Sequence, residues 1–299
     1  KNMDAVSKTI EYYYSHRESS NRVKQKSTDL KKHVNTTIKK LYLKKQKLSE
    51  ELLKAEHSEK YRLYGELLTA NIHSIKPGSS SVDVLNYYNG ETITIPLDKR
   101  YHPSKNAQNY FKKYSKSKTA IVEKNNQLEH TDADILYLES VMSFIEMADS
   151  TETIDNIREE LIESGFIRRR KLSKQPKKKN EIKPFTYTTT DGFKVLAGRN
   201  NKENDILTTK KAAKNDLWFH TKDIPGSHTI LFTGGKDPSD IAIFEAAAIA
   251  AYHSKGRMSE NVPVDYTKIR FVKKPSGAKP GMVIFTDNKT VYVTPKLPQ

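Results

Sequence analysis

The chain has 299 residues, of which 35% are hydrophobic and 29% are charged, so it holds less apolar material than a compact globule of this length normally buries. Lysine and arginine total 52 against 36 aspartate and glutamate, a net charge of +16, which indicates a polyanionic partner such as RNA, DNA or an acidic membrane surface. The absence of cysteine excludes disulfides and thiol chemistry, and no apolar run is long enough to predict membrane insertion.

A seven-residue hydrophobic repeat predicts a long helix between Asn21 and Ile75. The repeat falls at Val34, Leu41, Leu48 and Ala55, with Leu30, Ile38 and Leu52 at offset positions. A second repeat follows Ser104, at Ala107, Tyr114, Ile121 and Leu128. Because the residues around both repeats are too polar for a helix buried on several sides, we expect the two helices to pair with each other, antiparallel and within one chain.

The segment between the two repeats contains Asn89-Gly90 flanked by β-branched residues, which predicts a β-hairpin at about 80–97. Shorter helices are predicted at about 132–149 and 152–164, the second closing at Gly165. We therefore assign residues 1–167 to an antiparallel coiled-coil arm with a β-hairpin tip and short capping helices.

Positive charge is concentrated on the first half of the helical arm, which we call the outbound arm, and on the segment that follows the complete helical arm. The outbound cations include Lys31, Lys32, Lys39 and Lys40. A solvated coiled-coil flank usually carries mixed charge, whereas this one is nearly single-signed, which favours a contact surface for phosphates or acidic protein. Residues 168–184, which begin with Arg168, Arg169 and Arg170, are typical of a basic linker. It can act as a solubilising tether, as a sequence-independent attractor of RNA backbone, or as both.

Residues 185–299 are predicted to form a small α+β domain with a mostly antiparallel sheet. Asp191-Gly192 predicts a second hairpin, and a short helix is expected at about 203–212. Two apolar strands, LWFHT and HTILF, precede an alanine-rich helix that is predicted to start with Asp237 as N-cap and Pro238 in the first turn. The alanines are interpreted as core, and three further strand candidates close the chain.

A basic segment joins the last strand candidates. Its cations are Lys268, Arg270, Lys273, Lys274 and Lys279, and prolines and glycines punctuate the loop. The pattern fits a phosphate-binding loop and an ordinary solvent-facing turn equally well.

The sequence favours no catalytic site, cofactor or metal. Ser227 and His228 are adjacent, and adjacent strand residues point to opposite faces, so they do not predict a nucleophile and its base. The spacing of His220, His228 and His253 matches no zinc signature. Trp218, inside an apolar strand, is interpreted as a core anchor rather than a base-stacking residue.

The segment NDLWFHTKDIPGSH, followed by AAAIAAYHSK and VDYTKIRFVKKPSGAKPGMV, resembles the NFACT-R domain. The family motif falls on Asp216, Trp218, His220, Asp223, Pro225, Gly226, Ser227 and His228. The preceding segments GELLTANI, IPLD and NAQNYFKKY resemble the coiled-coil region of the same proteins. The resemblance is to the C-terminal half of the RqcH/NEMF family, known in streptococci as fibronectin-binding or PavA-like proteins.

The resemblance implies a non-catalytic, ribosome-associated quality-control factor in the cytoplasm. Its expected partners are the large ribosomal subunit and tRNA, in support of alanine tailing of stalled nascent chains. The streptococcal name implies a different function, an adhesin exposed at the cell surface without a signal peptide, which binds fibronectin or another host matrix protein.

Overall fold

The computed structural model describes residues 2–56, 58–169 and 182–298, with side chains from residue 21 onward. It divides the chain into a first unit, Lys1–Lys39 with Ile135–Gln299, and a second unit, Lys40–Asp134. The helices are α1 (Asn2–Glu56), α2 (Glu59–Ala70), α3 (Pro103–Met147), α4 (Thr151–Glu163), α5 (Asn201–Ile206) and α6 (Asp240–Tyr252). The strands are β1 (Ser81–Asn86), β2 (Glu91–Pro96), β3 (Phe185–Thr188), β4 (Lys194–Ala197), β5 (Leu217–Thr221), β6 (Thr229–Phe232), β7 (Val262–Lys268), β8 (Val272–Lys273), β9 (Ile284–Phe285) and β10 (Lys289–Val293).

Within the second unit, the outbound helices run antiparallel to α3 in the same chain. Three polar contacts set the register: Lys45 with Asp132 at 2.7 Å, Lys124 with Glu51, and Tyr114 Oη with Glu59 Oε1 at 3.0 Å. The partner's number on α3 falls as the number on the outbound arm rises. The predicted antiparallel coiled coil, whose repeat residue Leu48 is 6% exposed, is therefore confirmed.

The outbound arm contains two helices where the sequence predicted one. α1 ends at Glu56 and α2 begins at Glu59. α2 then approaches α3 closely, because a Cβ built on Gly65 would lie 2.9 Å from the Phe111 ring. Glycine at this position permits the close approach of the two helices.

The predicted hairpin is present as β1 and β2, with Asn86 facing Glu91. The connection is therefore the four residues Tyr87–Gly90 rather than Asn89-Gly90 alone. Gly90 adopts a φ of +75° at the last loop position, a conformation that glycine tolerates without strain. The asparagine-glycine signal located the hairpin correctly but not the length of its loop.

In the first unit, α3 continues without interruption to Met147. The separate helix predicted at about 132–149 was therefore wrong: this segment is the end of α3, which contains no glycine and no proline after Pro103 to stop it. The helix predicted at 152–164 is α4. Ser150 caps it, accepting a hydrogen bond from Thr153 N at 3.2 Å. No helix in the described part of the chain is long and apolar enough to cross a membrane.

The small domain is built on a six-stranded, wholly antiparallel sheet in the order β10-β7-β5-β6-β4-β3. One face packs against α6, with Leu217 and Phe219 among the residues of that core. Trp218 lies on the opposite face, with Leu196 and Ile230. The predicted α+β fold class with a mostly antiparallel sheet is confirmed.

α6 begins later than predicted. Its N-cap is Ser239, whose hydroxyl accepts a hydrogen bond from Ala242 N at 3.1 Å, so Asp237 does not cap the helix and Pro238 precedes its first turn. The alanines were correctly interpreted as core residues. Five of them are fully buried, Ala242, Ala246, Ala247, Ala250 and Ala251.

Candidate nucleic-acid interface

The motif residues of β5 point alternately to the two faces of the sheet, as successive side chains of a β-strand do. Phe219 packs towards α6, whereas Trp218 and His220 point to the other face. There the Trp218 ring stacks on the His220 ring at 5.7 Å between centroids and meets the Phe285 ring at 4.8 Å. His228, the residue immediately before β6, contacts Trp218 edge-on at 5.2 Å between ring centroids. The motif therefore builds an aromatic cluster.

A cavity of about 350 Å³ opens beside this cluster. Its lining residues include Leu136, Asn204, Trp218, His220, His228 and Phe285. Leu136 lies on α3, Asn204 on α5 and Phe285 on β9, so three distant parts of the sequence meet the motif here. Lysine and arginine are absent from the lining, whereas the carboxyl groups of Glu139 and Asp223 are present.

The pKa of both histidines of the cluster is lowered, which favours their uncharged forms. Burial holds the pKa of His228 well below its ordinary value, and the neighbouring His220 lowers it further. Burial also lowers the pKa of His220. His228 Nδ1 lies 2.7 Å from the Thr208 hydroxyl, and Asn204 Oδ1 accepts a hydrogen bond from His228 N at 3.0 Å. These contacts fix the ring that closes one side of the cavity.

Two other polar residues of the motif bind backbone groups. Asp216 accepts hydrogen bonds from Ala213 N at 2.7 Å and from Thr233 N at 2.9 Å. Ser227 is 1% exposed, and its hydroxyl donates to Gly198 O at 2.6 Å. These contacts give Asp216 and Ser227 structural roles.

The loop between β5 and β6 completes one wall of the cavity. Asp223 is exposed and adopts a φ of +56°, and Pro225 O accepts a hydrogen bond from Lys255 N at 2.9 Å. A Cβ on Gly226 would lie 2.7 Å from the Thr221 hydroxyl, so only glycine fits there without a shift. The DIPGSH segment thus forms a closely packed turn.

We expect Ser227→Ala to lower the free energy of unfolding by about 1–3 kcal/mol, because the Gly198 carbonyl loses a buried hydrogen bond. Chemical denaturation monitored by circular dichroism measures the loss. Ser259→Ala, at an exposed serine, is the matched control and should change stability by less than about 0.5 kcal/mol. Equal stabilities for the two variants would contradict the structural role of Ser227.

The predicted cations of the basic segment fall into two groups. Lys268, Arg270 and Lys273 are exposed and accessible to a phosphate backbone, and the Arg270 guanidinium also lies 4.8 Å from the centre of the neighbouring Phe271 ring. Lys274 pairs with Asp205 at 2.7 Å, and Lys279 Nζ lies 4.4 Å from the centre of the Phe166 ring. Lys274 and Lys279 already have contacts within the protein, and these contacts would compete with binding to a phosphate. The contribution of both side chains to RNA binding stays a prediction.

The predicted cations of the helical arm are surface residues. In the first unit Lys32 and Lys39 are exposed and Lys31 is half-buried; in the second unit Lys40 is exposed. Their role in RNA contact stays a prediction.

The predicted linker cations are only partly within the described residues. Arg168 is exposed, Arg169 pairs with Glu159 at 3.5 Å, and Arg170 lies outside the described residues. No group of three or more histidine, aspartate or glutamate side chains placed to hold a metal ion occurs in the described ranges.

Comparison with known proteins gives matches along nearly the whole chain. Residues 1–180 match the family described as NFACT N-terminal and middle domains, and residues 183–287 match the NFACT protein RNA binding domain. The Rqc2 homolog RqcH of Bacillus subtilis is 43% identical over 298 residues, which cover 99% of this chain and 52% of that protein. The Rqc2 homolog RqcH of Streptococcus suis is 44% identical over 293 residues, with coverages of 98% and 52%.

The chain thus spans about half the length of the curated relatives it matches. A solved structure of the C-terminal part of the fibronectin/fibrinogen-binding protein from Streptococcus suis is also similar, with a TM-score of 0.72 and 40% sequence identity. The match covers 92% of this chain and 96% of that one.

Proposed function

The chain belongs to the NFACT family that includes the RqcH proteins, and from this premise we propose that it is the part of a ribosome-associated quality-control factor that binds the large ribosomal subunit and tRNA. The proposal rests chiefly on the match of residues 183–287 to an RNA binding domain, in a chain with a net charge of +16. In this proposal the protein supports alanine tailing of stalled nascent chains in the cytoplasm, and the ribosome carries out the peptide transfer.

The exposed cations Lys268, Arg270 and Lys273 are proposed to bind phosphates rather than base edges. Each neutralised phosphate releases counterions, so the logarithm of the association constant should fall linearly with the logarithm of salt concentration. Phosphate contacts position a protein on RNA and carry no direct sequence information. Affinity for unrelated RNAs should therefore respond alike to changes at these side chains.

The test is a triple charge reversal, Lys268→Glu, Arg270→Glu and Lys273→Glu, measured for binding to large ribosomal subunits and to tRNA across a salt series. We expect weaker binding at low salt and a slope flatter by roughly one unit per lost contact. The matched control reverses Lys236, Lys255 and Lys289, which are exposed cations of the same unit. Because both triples change the net charge equally, an equal response would show that the total charge and not this segment drives binding.

The same variants test the second candidate function, which rests on the name of the similar streptococcal structure. A protein interface depends on a few desolvated anchor residues, and rim charges mainly change the association rate. If the triple reversal at Lys268, Arg270 and Lys273 abolished fibronectin binding and left ribosome and tRNA binding unchanged at every salt concentration, the RNA proposal would be wrong. The adhesin function would then take its place.

A further inference from the structure

The cavity beside Trp218 is large enough for one planar ligand ring, and aromatic side chains line it. Its volume of about 350 Å³ lies within the range of small-ligand sites, roughly 300–1,000 Å³. His220 and Phe285 are half-buried where they line it, so part of each ring faces open space. Proteins that bind single-stranded RNA commonly stack its free bases on aromatic rings of this kind.

The charges in the lining argue against a phosphate at the same place. The charged groups are the carboxyls of Glu139 and Asp223, which repel an anion. Burial lowers the pKa of both His220 and His228, which disfavours a positive charge on these rings. The cavity therefore suits an uncharged ring that carries hydrogen-bond donors.

A cation for the attached phosphate lies on the neighbouring strand. β8 pairs with β9, with Val272 facing Phe285 and Lys273 facing Ile284. Val272 therefore shares the face of Phe285, whereas the exposed Lys273 is one residue further along the ladder and points to the other face of this two-stranded ribbon. The backbone of a base held against Phe285 would have to pass the edge of the ribbon to reach this cation.

Resting on the proposed RNA-binding function, we propose that the cavity lined by Trp218, His220, His228 and Phe285 binds a single unstacked nucleobase of RNA. The base is one with an exocyclic amino group, adenine, cytosine or guanine, in preference to uracil. A carboxylate such as that of Asp223 accepts hydrogen bonds from an amino group, whereas uracil has no amino group and its one donor on that edge, N3–H, lies between two carbonyl oxygens that repel a carboxylate. The domain thus adds base recognition to phosphate attraction.

Trp218 is the only tryptophan of the chain, so its fluorescence reports on this cavity. The probes are short single-stranded oligomers of adenylate, cytidylate and uridylate, and an abasic ribose-phosphate oligomer of the same length. We expect the adenylate and cytidylate oligomers to change the fluorescence at saturation and to bind about tenfold more tightly than the abasic oligomer. The uridylate oligomer should bind more weakly than the other two.

The decisive variant is Phe285→Leu, which removes the ring and keeps an apolar side chain. It should lower affinity for the adenylate oligomer by about tenfold and leave affinity for the abasic oligomer unchanged. Phe244→Leu is the matched control: Phe244 is 49% exposed on α6, which covers the opposite face of the sheet, and this variant should bind like the wild type. Circular dichroism checks that both variants are folded.

The outcomes separate the two proposals. Equal binding of base-containing and abasic oligomers, unaffected by Phe285→Leu, would overturn the nucleobase site and leave phosphate binding in place. Absence of binding to any oligomer and to ribosomal subunits would overturn the proposed function itself. A fluorescence change with a lysine-rich peptide, but with no oligomer, would assign the cavity to a protein cation and reject the nucleobase.

Discussion

Replacing Glu160 by leucine is expected to destabilise the first unit by about 3 kcal/mol, because the carboxyl is the shared acceptor of a buried network. Glu160 is 1% exposed. It accepts hydrogen bonds from Tyr137 Oη at 2.7 Å, from Asn201 Nδ2 at 3.2 Å and from Lys202 N at 3.3 Å. Leucine fills a similar volume and accepts none of these bonds. Thermal and urea unfolding of the full chain measure the loss.

The control for this change lies one residue away. Glu159, on the same helix, has a side chain that is 49% exposed and pairs with Arg169. Surface ion pairs contribute little to stability, so Glu159→Leu should shift it by less than about 0.5 kcal/mol. Comparable losses in the two variants would show that helix composition, and not the buried network, determines the effect.

The Glu160→Gln variant adds a pH dependence of defined sign. Burial raises the pKa of Glu160, although the three hydrogen bonds oppose this shift. A carboxyl with a raised pKa in the folded state contributes stability that is present at acid pH and is lost as the pH rises through that pKa. Glu160→Gln should therefore match the wild type at acid pH and become relatively more stable as the pH rises. The opposite trend would mean that the buried carboxylate is stabilised as an anion.

Substitution of Gly198 by alanine is expected to cost about 2–4 kcal/mol through steric overlap. A Cβ at this position would lie 2.2 Å from Asn204 Oδ1 and 3.0 Å from Asn204 N. The backbone nitrogen belongs to α5, so the contact cannot be relieved by turning a side chain alone. Displacing Asn204 also breaks its hydrogen bond to His228 N, which positions one wall of the aromatic cavity.

Gly192→Ala separates this overlap from the general cost of losing a glycine. Gly192 has a φ of +82°, and a Cβ there would meet no atom within 4 Å, so its replacement costs only about 1 kcal/mol of backbone strain. We expect Gly198→Ala to lower the melting temperature further than Gly192→Ala and to alter Trp218 fluorescence in the native state. Equal melting temperatures would show that Asn204 can move away from the added methyl group without loss of stability.

The elements with local signals could be predicted from the sequence. The heptad repeats, the turns at Asn89-Gly90 and Asp191-Gly192, and the alanine-rich helix each depend on residues close together in the chain. Boundaries were less predictable. The N-cap of α6 is Ser239 and not the predicted Asp237, because both residue types are good N-caps and only tertiary packing decides between them.

The cavity could not be predicted, because its walls come from segments that share no local pattern. Leu136 lies in a segment that was predicted to be a separate capping helix at about 132–149, and Phe285 lies in a short strand candidate near the end of the chain. Glu160 was missed for a different reason: a glutamate on an amphipathic helix normally faces solvent. The sequence did hold an indirect signal, because Asn200 and Glu203 have the spacing of a capping pair and mark the start of α5. The backbone N–H groups at a helix start need acceptors, and Glu160 is the acceptor for Lys202 N.

The antiparallel register of the second unit restricts how its length can vary between relatives. Lys45 faces Asp132, and Glu59 faces Tyr114, so a residue inserted into one arm moves every later residue of that arm past its partner. The shift also rotates the apolar seam by about 100° around the helix, because an α-helix has 3.6 residues per turn. Insertions and deletions that preserve the pairing must therefore occur in both arms together and in whole heptads, with the β-hairpin carried along unchanged.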